Sequence, residues 1–220
     1  WCGLKCCPPG KVLMILSAKR LMAVAFAITA VSVQAQVNLG IGETVAVPTV
    51  DVPTLTIVDV MTSPFLSSAS EFKGTLTSIV ARLGDSNGDL IFAYVISNRN
   101  DSDSNVIDFS ILGWTGFSSI VAQHDATSLT GNFGQSALTA SRTASALTFT
   151  FSDVPGQALA PGTNSTVFWA LSDASEYTKD ATWAINGFVA TAPAFAPVPE
   201  PASLAMLGLG LAALARRRRN

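Results

Sequence analysis

The stretch ALTFTFS, residues 146–152, alternates large apolar side chains with small or polar ones. Leu147, Phe149 and Phe151 fall on one face of an extended chain, because successive side chains of a strand point to opposite sides. The polar partners Thr148, Thr150 and Ser152 fall on the other face. The stretch therefore predicts a half-buried β-strand whose rings point into a core.

The same spacing recurs along the body of the chain. Three further runs carry it: Val167 with Trp169 and Leu171, Trp183 with Ile185, and Ile107 with Phe109 and Ile111. Leu90 to Ile96, LIFAYVI, is apolar on both faces and is typical of a central, fully covered strand. A carbohydrate-binding platform of exposed rings is the alternative for Phe149, Phe151, Trp169 and Trp183. Their alternating positions favour the core.

Turn residues separate these runs. Asp85-Ser86-Asn87-Gly88-Asp89 predicts a hairpin, since Asn-Gly suits a turn in which both central residues need positive φ. Residues 98–105 form a polar loop, and Pro155-Gly156 and Pro161-Gly162 interrupt the chain further on. We expect about eight or nine strands in an all-β antiparallel sandwich, Ig-like or jelly-roll-like, with a closed barrel as the alternative.

The region before residue 70 gives a weaker signal. Val37 to Val47 and Leu55 to Met61 could be strands, but prolines and the run Ser67-Ser68-Ala69-Ser70 interrupt them. We predict an edge strand followed by a long surface loop.

Charge is distributed unevenly along the chain. Residues 36–197 contain five basic and fourteen acidic side chains, a net charge of −9, although the whole chain carries only −2. Nucleic acid is therefore excluded as a partner of the body, because phosphate binding needs clustered lysine and arginine. The other eight basic residues lie at the two ends, as they do in chains with membrane topology signals.

The first 35 residues resemble an export signal with an upstream extension whose true start is doubtful. From Met14, the bases Lys19 and Arg20 precede eleven apolar residues, 21–31, and Val33-Gln34-Ala35 puts small residues at the −3 and −1 positions. A membrane anchor is the alternative, but eleven residues are too few to cross a bilayer. We predict a signal helix cleaved between Ala35 and Gln36.

Cleavage there would remove every cysteine, since Cys2, Cys6 and Cys7 all precede Gln36. The mature chain would then contain no disulfide. A body of this length can rely on its hydrophobic core instead.

The body carries no recognisable catalytic motif. Its single histidine, His124, lies beside Asp125, and a sequence neighbour can seldom orient an imidazole as a triad acid does. The segment Gly134 to Leu138 fails the G-x-S-x-G pattern at its last position, and phosphate-loop, dinucleotide and zinc-protease motifs are missing from the sequence. We predict no enzyme activity and no cofactor.

Two acidic loops are candidates for calcium. Asp85, Asn87 and Asp89 have the spacing of the first ligands of an EF-hand loop, but Leu90 replaces its glycine and Ile96 its bidentate glutamate. The second loop has the same spacing, in Asp101, Asp103 and Asn105. Hairpin or surface-turn chemistry explains both loops without a metal.

Trp114 and Phe117 flank Gly116 close to a predicted turn. If their rings are exposed, they could form a sugar-binding patch.

The end of the chain combines an apolar run with a basic terminus. Ser203 to Ala215 is apolar, and Arg216, Arg217, Arg218 and Arg219 follow it. As a helix the run would be about 20 Å long, short for a bilayer unless the arginines snorkel. A buried core helix is the alternative, but four adjacent cations suit a cytoplasmic membrane face. We predict a C-terminal transmembrane helix with the body on the far side of the inner membrane.

Val198-Pro199-Glu200-Pro201 stands just before this run. The two prolines fix φ and hold the peptide extended, a suitable shape for a protease cleft. Motif, apolar run and arginines in this order resemble the PEP-CTERM sorting signal of Gram-negative bacteria. The resemblance implies processing by exosortase, a membrane protease-transpeptidase that itself supplies the nucleophile. It also implies an association with exopolysaccharide and biofilm matrix.

We divide the chain accordingly: signal peptide 1–35, sandwich 36–190, Pro/Ala linker 191–197 and sorting signal 198–220. The first hypothesis is an exported structural or adhesive protein of the cell surface or matrix. Its partners would be the general secretion machinery, exosortase, the inner membrane transiently, and extracellular polysaccharide as an option. The second hypothesis is a secreted carbohydrate-binding module, with or without calcium.

Overall fold

The computed structural model describes residues 36–50, 55–66, 72–83, 89–124, 133–152, 154, 158–190 and 192–198. This part of the chain is all-β and contains no helix. Among these residues, accordingly, no helix could cross a membrane. The predicted signal helix and C-terminal transmembrane helix lie outside the described residues.

The described residues form seventeen strands, many of them only two or three residues long. They are β1 (Val37–Asn38), β2 (Thr44–Ala46), β3 (Thr49–Val50), β4 (Leu55–Leu66), β5 (Lys73–Leu83), β6 (Leu90–Asn98), β7 (Asp108–Leu112), β8 (Ile120–His124), β9 (Phe133–Gln135), β10 (Thr139–Arg142), β11 (Ala146–Thr150), β12 (Asn164–Ser165), β13 (Phe168–Ser172), β14 (Tyr177–Thr178), β15 (Trp183–Ile185), β16 (Phe188–Ala190) and β17 (Ala196–Pro197). The sequence predicted only eight or nine strands, because a strand of two or three residues is too short to show an alternating pattern.

The larger sheet is built around β6. This strand pairs antiparallel with β5 on one side and with β13 and β12 on the other, and its first five residues are all buried. The prediction of a central, covered strand at 90–96 is therefore confirmed. Strand β4 continues the sheet beyond β5, and β8 continues it beyond β13. The β5–β6 pairing also confirms the predicted hairpin, whose turn at 84–88 lies outside the described residues.

The second sheet contains β11, which is formed by the first five residues of the alternating stretch ALTFTFS. Its strand order is β16-β15-β7-β11-β10-β2, with every neighbour antiparallel, so Ala146–Thr150 is an inner strand between β7 and β10. The two sheets form a sandwich-like arrangement. A third, two-stranded sheet joins β14 to β17.

The core between the two sheets is aromatic. The ring of Phe168 in the larger sheet lies 4.6 Å from that of Phe149 and 5.6 Å from that of Phe109, both of the second sheet. Leu147, Phe149 and Phe151 are fully buried, as their alternation predicted. Ring pairs of this kind add to the stability that burial alone provides.

Trp169 is also buried, but outside this core. It belongs to a smaller cluster with Ala81, Ile91, Ala93 and Ala122, on the opposite side of the larger sheet from Phe168. Adjacent strand residues point to opposite faces, so one strand supplies both clusters.

The N-terminal region differs from the sequence prediction. Val37 to Val47 is not one strand: β1 pairs with β8 of the larger sheet, whereas β2 pairs with β10 of the second sheet. Strand β4 extends to Leu66 instead of ending at Met61, and Pro64 lies inside it. Proline is tolerated because β4 pairs only with β5 among the described strands and is an edge strand, as predicted.

Replacing the central ring should destabilise the fold severely. We expect Phe168→Ala to lower the free energy of unfolding by about 3–5 kcal/mol, because the cavity would remove contacts to Phe149 of the second sheet and Tyr94 of the larger sheet. The control Val189→Ala alters a side chain that is 68% exposed and should change stability by about 0.5 kcal/mol or less. Urea unfolding measures both variants, and equal effects would contradict this account of the core.

Candidate functional site

The last described segment, residues 192–198, lies against the sandwich; we call it the strap. Ala194, Phe195 and Ala196 are completely buried, and Pro197 is buried too. The predicted linker at 191–197 is therefore wrong for its described part. Alanine and proline are common in spacers, but Phe195 supplies a large apolar side chain that the core can bury.

Three strands of the larger sheet hold the strap through polar side chains. Tyr94 of β6 donates a 2.8 Å hydrogen bond from its hydroxyl to the Phe195 carbonyl. The Ser78 hydroxyl of β5 accepts one from the Phe195 amide at 3.2 Å, and Ser63 of β4 donates one to the Pro193 carbonyl at 2.7 Å. All three side chains are buried. The larger sheet thus offers a row of hydrogen-bonding groups to one peptide.

The opposite side of the strap is held as well. The Trp183 indole N–H donates to the Ala192 carbonyl at 2.6 Å, and the Ala181 amide donates to the Ala194 carbonyl at 3.0 Å. Ala196 and Pro197 form β17, which pairs with β14. The Val198 amide donates to the Glu176 carbonyl at 3.2 Å. Each residue from Ala192 to Val198 therefore has a hydrogen bond or a strand partner.

A glycine allows close packing at the end of the strap. A Cβ atom on Gly113 would lie 3.0 Å from the Ala196 Cβ and 3.3 Å from the Pro197 carbonyl oxygen. Gly113 also has a φ of +105°, a conformation that other residues seldom adopt. Glycine is required here for both reasons.

A small charged rim lies at the outer side of Phe195. Lys179 Nζ is 2.6 Å from Asp59 Oδ2, and the Tyr177 hydroxyl donates to the same oxygen at 3.1 Å. The Tyr177 ring meets the Phe195 ring edge-on at 5.4 Å, and Lys179 Nζ is 5.9 Å from that ring's centre. The rim therefore links β4 to the β14 region on the outer side of the buried Phe195.

The three side chains of the rim and the buried Tyr94 have shifted pKa values. The hydrogen bond from Lys179 lowers the pKa of Asp59, and the same bond raises the pKa of Lys179. Burial, followed by the neighbouring Asp59, raises the pKa of Tyr177. Burial raises the pKa of Tyr94 well above its usual value. At neutral pH, Tyr94 is therefore a neutral hydrogen-bond donor to the strap, and Asp59 is a carboxylate that binds Lys179 and Tyr177.

The calcium candidates do not come together as ligands in the described residues. Asp85 and Asn87 lie outside that part, and Asp89 is exposed. Asp101 faces cations, with its Oδ1 2.9 Å from Arg99 Nε and its Oδ2 3.8 Å from Lys73 Nζ.

The other two residues of the second loop do not complete a site. Asp103 is exposed, and Asn105 accepts a hydrogen bond at its main-chain oxygen from Asn186 Nδ2. Over the described ranges, no group of three His, Cys, Asp or Glu side chains is arranged to hold a metal.

Trp114 does not meet the condition for a sugar-binding patch, which was exposure of its ring. Its side chain is fully buried and packs edge-on against Phe92 at 5.7 Å, while Phe117 is half-buried. Arg142 explains this, because its buried guanidinium donates hydrogen bonds to the carbonyls of both Trp114 and Phe117 and pulls the loop inward. His124 is buried at the end of β8, with Nδ1 3.3 Å from the Val50 carbonyl oxygen.

The strap leads directly into a segment that matches a known protein family. Residues 197–219 match the family model described as the PEP-CTERM protein-sorting motif. The chain carries a PEP-CTERM sorting motif. No curated protein and no solved structure matches the chain.

The PEP-CTERM motif implies an exported protein that exosortase sorts after transient membrane anchoring. Its matched region overlaps the fold, because Pro197 is in β17 and Val198 is bonded to Glu176. Pro199, Glu200, Pro201 and the four arginines lie outside the described residues. The first residues of the PEP-CTERM match thus belong to the folded domain.

The residues that hold the strap were missed from sequence. Ser63, Ser78 and Tyr94 are polar side chains on buried strand faces, and each therefore needs a hydrogen-bond partner. That requirement was a usable signal for an additional segment packed there. It could not identify the segment as 192–198.

Removing the Tyr94 hydroxyl should weaken the attachment of the strap. We expect Tyr94→Phe to lower the free energy of unfolding by about 1–3 kcal/mol, because it deprives the buried Phe195 carbonyl of its donor. The control Tyr177→Phe removes a less buried hydroxyl and should cost about 0.5–1 kcal/mol. Urea denaturation compares them. A larger loss at Tyr177 would contradict the assigned role of Tyr94.

The Asp59–Lys179 pair should make stability depend on acid pH. The folded-state pKa of Asp59 is lowered, so its contribution is present above the unfolded value near 3.9 and disappears as pH falls through the folded value. We expect wild type to be slightly more stable than Asp59→Asn at pH 6. This advantage should vanish below about pH 3. Thermal unfolding across this pH range measures it, and a constant difference would refute the assignment.

Proposed function

We propose that this protein is an exported structural or adhesive component of the bacterial cell surface or extracellular matrix. The general secretion machinery would carry it across the inner membrane, and the signal would be cleaved between Ala35 and Gln36. Exosortase would then process its C-terminal tail. The observation that carries the proposal is the match of residues 197–219 to the PEP-CTERM motif.

The character of the body supports a structural role. Two sheets enclose a core rich in aromatic rings, and the tail follows a strap in which each residue has a hydrogen bond or a strand partner. Some buried polar groups link separate parts of the fold: Gln123, for example, bonds the carbonyls of Val47 and Ala137 and the Ala137 amide. We propose that the chain has no catalytic activity of its own.

The two parts of the tail would have different roles. The arginines at 216–219 would resist translocation, since each charge at the bilayer centre costs about 2.5–3.5 kcal/mol on insertion scales. They would hold the precursor in the membrane through the apolar run 203–215. Pro199-Glu200-Pro201 would be the segment that exosortase recognises.

The proposed location is an exopolysaccharide or biofilm matrix. The protein would contact extracellular polysaccharide there. A dedicated carbohydrate-binding module is the second candidate, and the described residues lend it little support. Trp114 is buried, and Asp101 is paired with Arg99 and Lys73. The structural or adhesive role is therefore the better proposal.

Two tail variants test the sorting proposal. Replacing Pro199, Glu200 and Pro201 with alanine should trap the precursor in the inner membrane, because exosortase would not recognise it. Replacing the four arginines with serine should instead let the precursor pass through unprocessed, at full length. Fractionation of the native host with mass spectrometry of both chain ends measures these outcomes. The proposal fails if both variants reach the surface with the wild-type C-terminus.

A further inference from the structure

We propose that the strap acts as a stop for proteolysis. It would confine removal of the sorting tail to the bonds after Val198, and it would protect the new C-terminus from further trimming. This inference rests on the proposed exosortase processing. It assigns a positioning role to Phe195 and to the residues that hold it, chiefly Tyr94 and Ser78.

The main-chain groups of the strap are the first argument. A protease binds its substrate as an extended peptide and forms hydrogen bonds with the main chain. In the strap, the carbonyls of Ala192, Pro193, Ala194 and Phe195 and the amides of Phe195 and Val198 are already bonded within the domain. A cleft could bind these residues only after the strap had left the sandwich.

Burial makes that departure costly. Phe195 is completely buried, with Tyr177 against its ring, and Ala194 and Ala196 beside it are also at 0% exposure. Undocking would expose this apolar surface and leave the buried Tyr94 and Ser78 hydroxyls without the strap. Released forms should therefore be a small minority of the folded protein.

The sequence also limits how far beyond the strap cleavage can occur. The apolar run proposed to enter the membrane begins at Ser203, so five peptide bonds separate the end of the strap at Val198 from this run. The five Cα–Cα steps from Val198 to Ser203 span at most about 18 Å when fully extended. The folded domain would therefore stay close to the membrane.

The reaction itself would occur at one of these five bonds. The peptide C–N bond breaks, the acyl carbon passes to the nucleophile of the enzyme and then to water or an amine acceptor, and the released amine takes up a proton. The strap takes no part in these steps. It determines which bonds are accessible.

A variant that releases the strap tests the proposal in the full-length chain. Phe195→Ser should leave the strap without its anchor, whereas Phe188→Ser makes the same change at a side chain that is 43% exposed and outside the strap. In the native host, wild type and Phe188→Ser should end at a C-terminus between Val198 and Ala202. Phe195→Ser should show at least tenfold more product ending upstream of Val198, measured by mass spectrometry.

A second measurement separates failure of this inference from failure of the sorting proposal. The purified full-length protein in detergent is digested briefly with a broad-specificity protease, without exosortase. Wild type should be cut after Val198 and spared over 192–197, and Phe195→Ser should be cut within 192–197 at least tenfold faster. If Phe195→Ser does not fold, the double variant Ser78→Ala with Tyr94→Phe replaces it.

The inference is overturned if wild type is cut within 192–197 as fast as the released variant. It is also overturned if the mature wild-type chain ends upstream of Val198. If the strap is protected in detergent but the host never removes the tail, the sorting proposal fails, and only the protection of the strap against proteolysis stands.

Discussion

The Tyr94 phenol lies in the middle of an aromatic core, where an unpaired hydroxyl would be strongly unfavourable. Its partner is the carbonyl of Phe195, which is 101 residues away in sequence. The core therefore satisfies this hydroxyl only when the C-terminal segment is in place. Ser78 and Ser63 on the neighbouring strands impose the same condition. The sandwich is therefore complete only when the strap is docked, and the strap is an integral part of the fold.

The same physical rule shapes a second part of the sandwich. Arg142 in β10 is 5% exposed, and its guanidinium is surrounded mainly by oxygens that carry no full charge: the carbonyls of Trp114, Phe117 and Leu39 and the Ser119 hydroxyl. Burial lowers the pKa of Arg142, while the more distant Asp173 raises it. The buried guanidinium bonds carbonyls from separate segments of the chain. It therefore links the loop before β8 to Leu39, the residue that follows β1.

The sequence predicted those parts of the fold that depend on local patterns. Alternation identified β11 and β13, and a continuous apolar run identified β6 as a central strand. The resemblance of the tail to the PEP-CTERM motif is also confirmed, since its motif, apolar run and arginines stand in one order. These signals are local because a strand face or a linear motif is defined by neighbouring residues. Asn186-Gly187 was a further local signal, overlooked, and forms the two-residue turn between β15 and β16 with positive φ at both positions.

Other features depend on contacts between distant residues and could not be predicted in this way. Nothing near Trp114 in the sequence indicates that Arg142 buries it, and nothing near Phe195 indicates that Tyr94 binds it. An Ala/Pro-rich composition is typical of a free spacer. Here the segment is docked instead, because Phe195 is buried and a row of buried hydroxyls forms hydrogen bonds with its main chain. The strap consequently changes how the tail can be presented. A free linker would let the sorting motif move independently of the domain, whereas a docked strap fixes its first residues, Pro197 and Val198, to the β14 region. Folding of the body and presentation of the sorting motif are therefore coupled through the same hydrogen bonds.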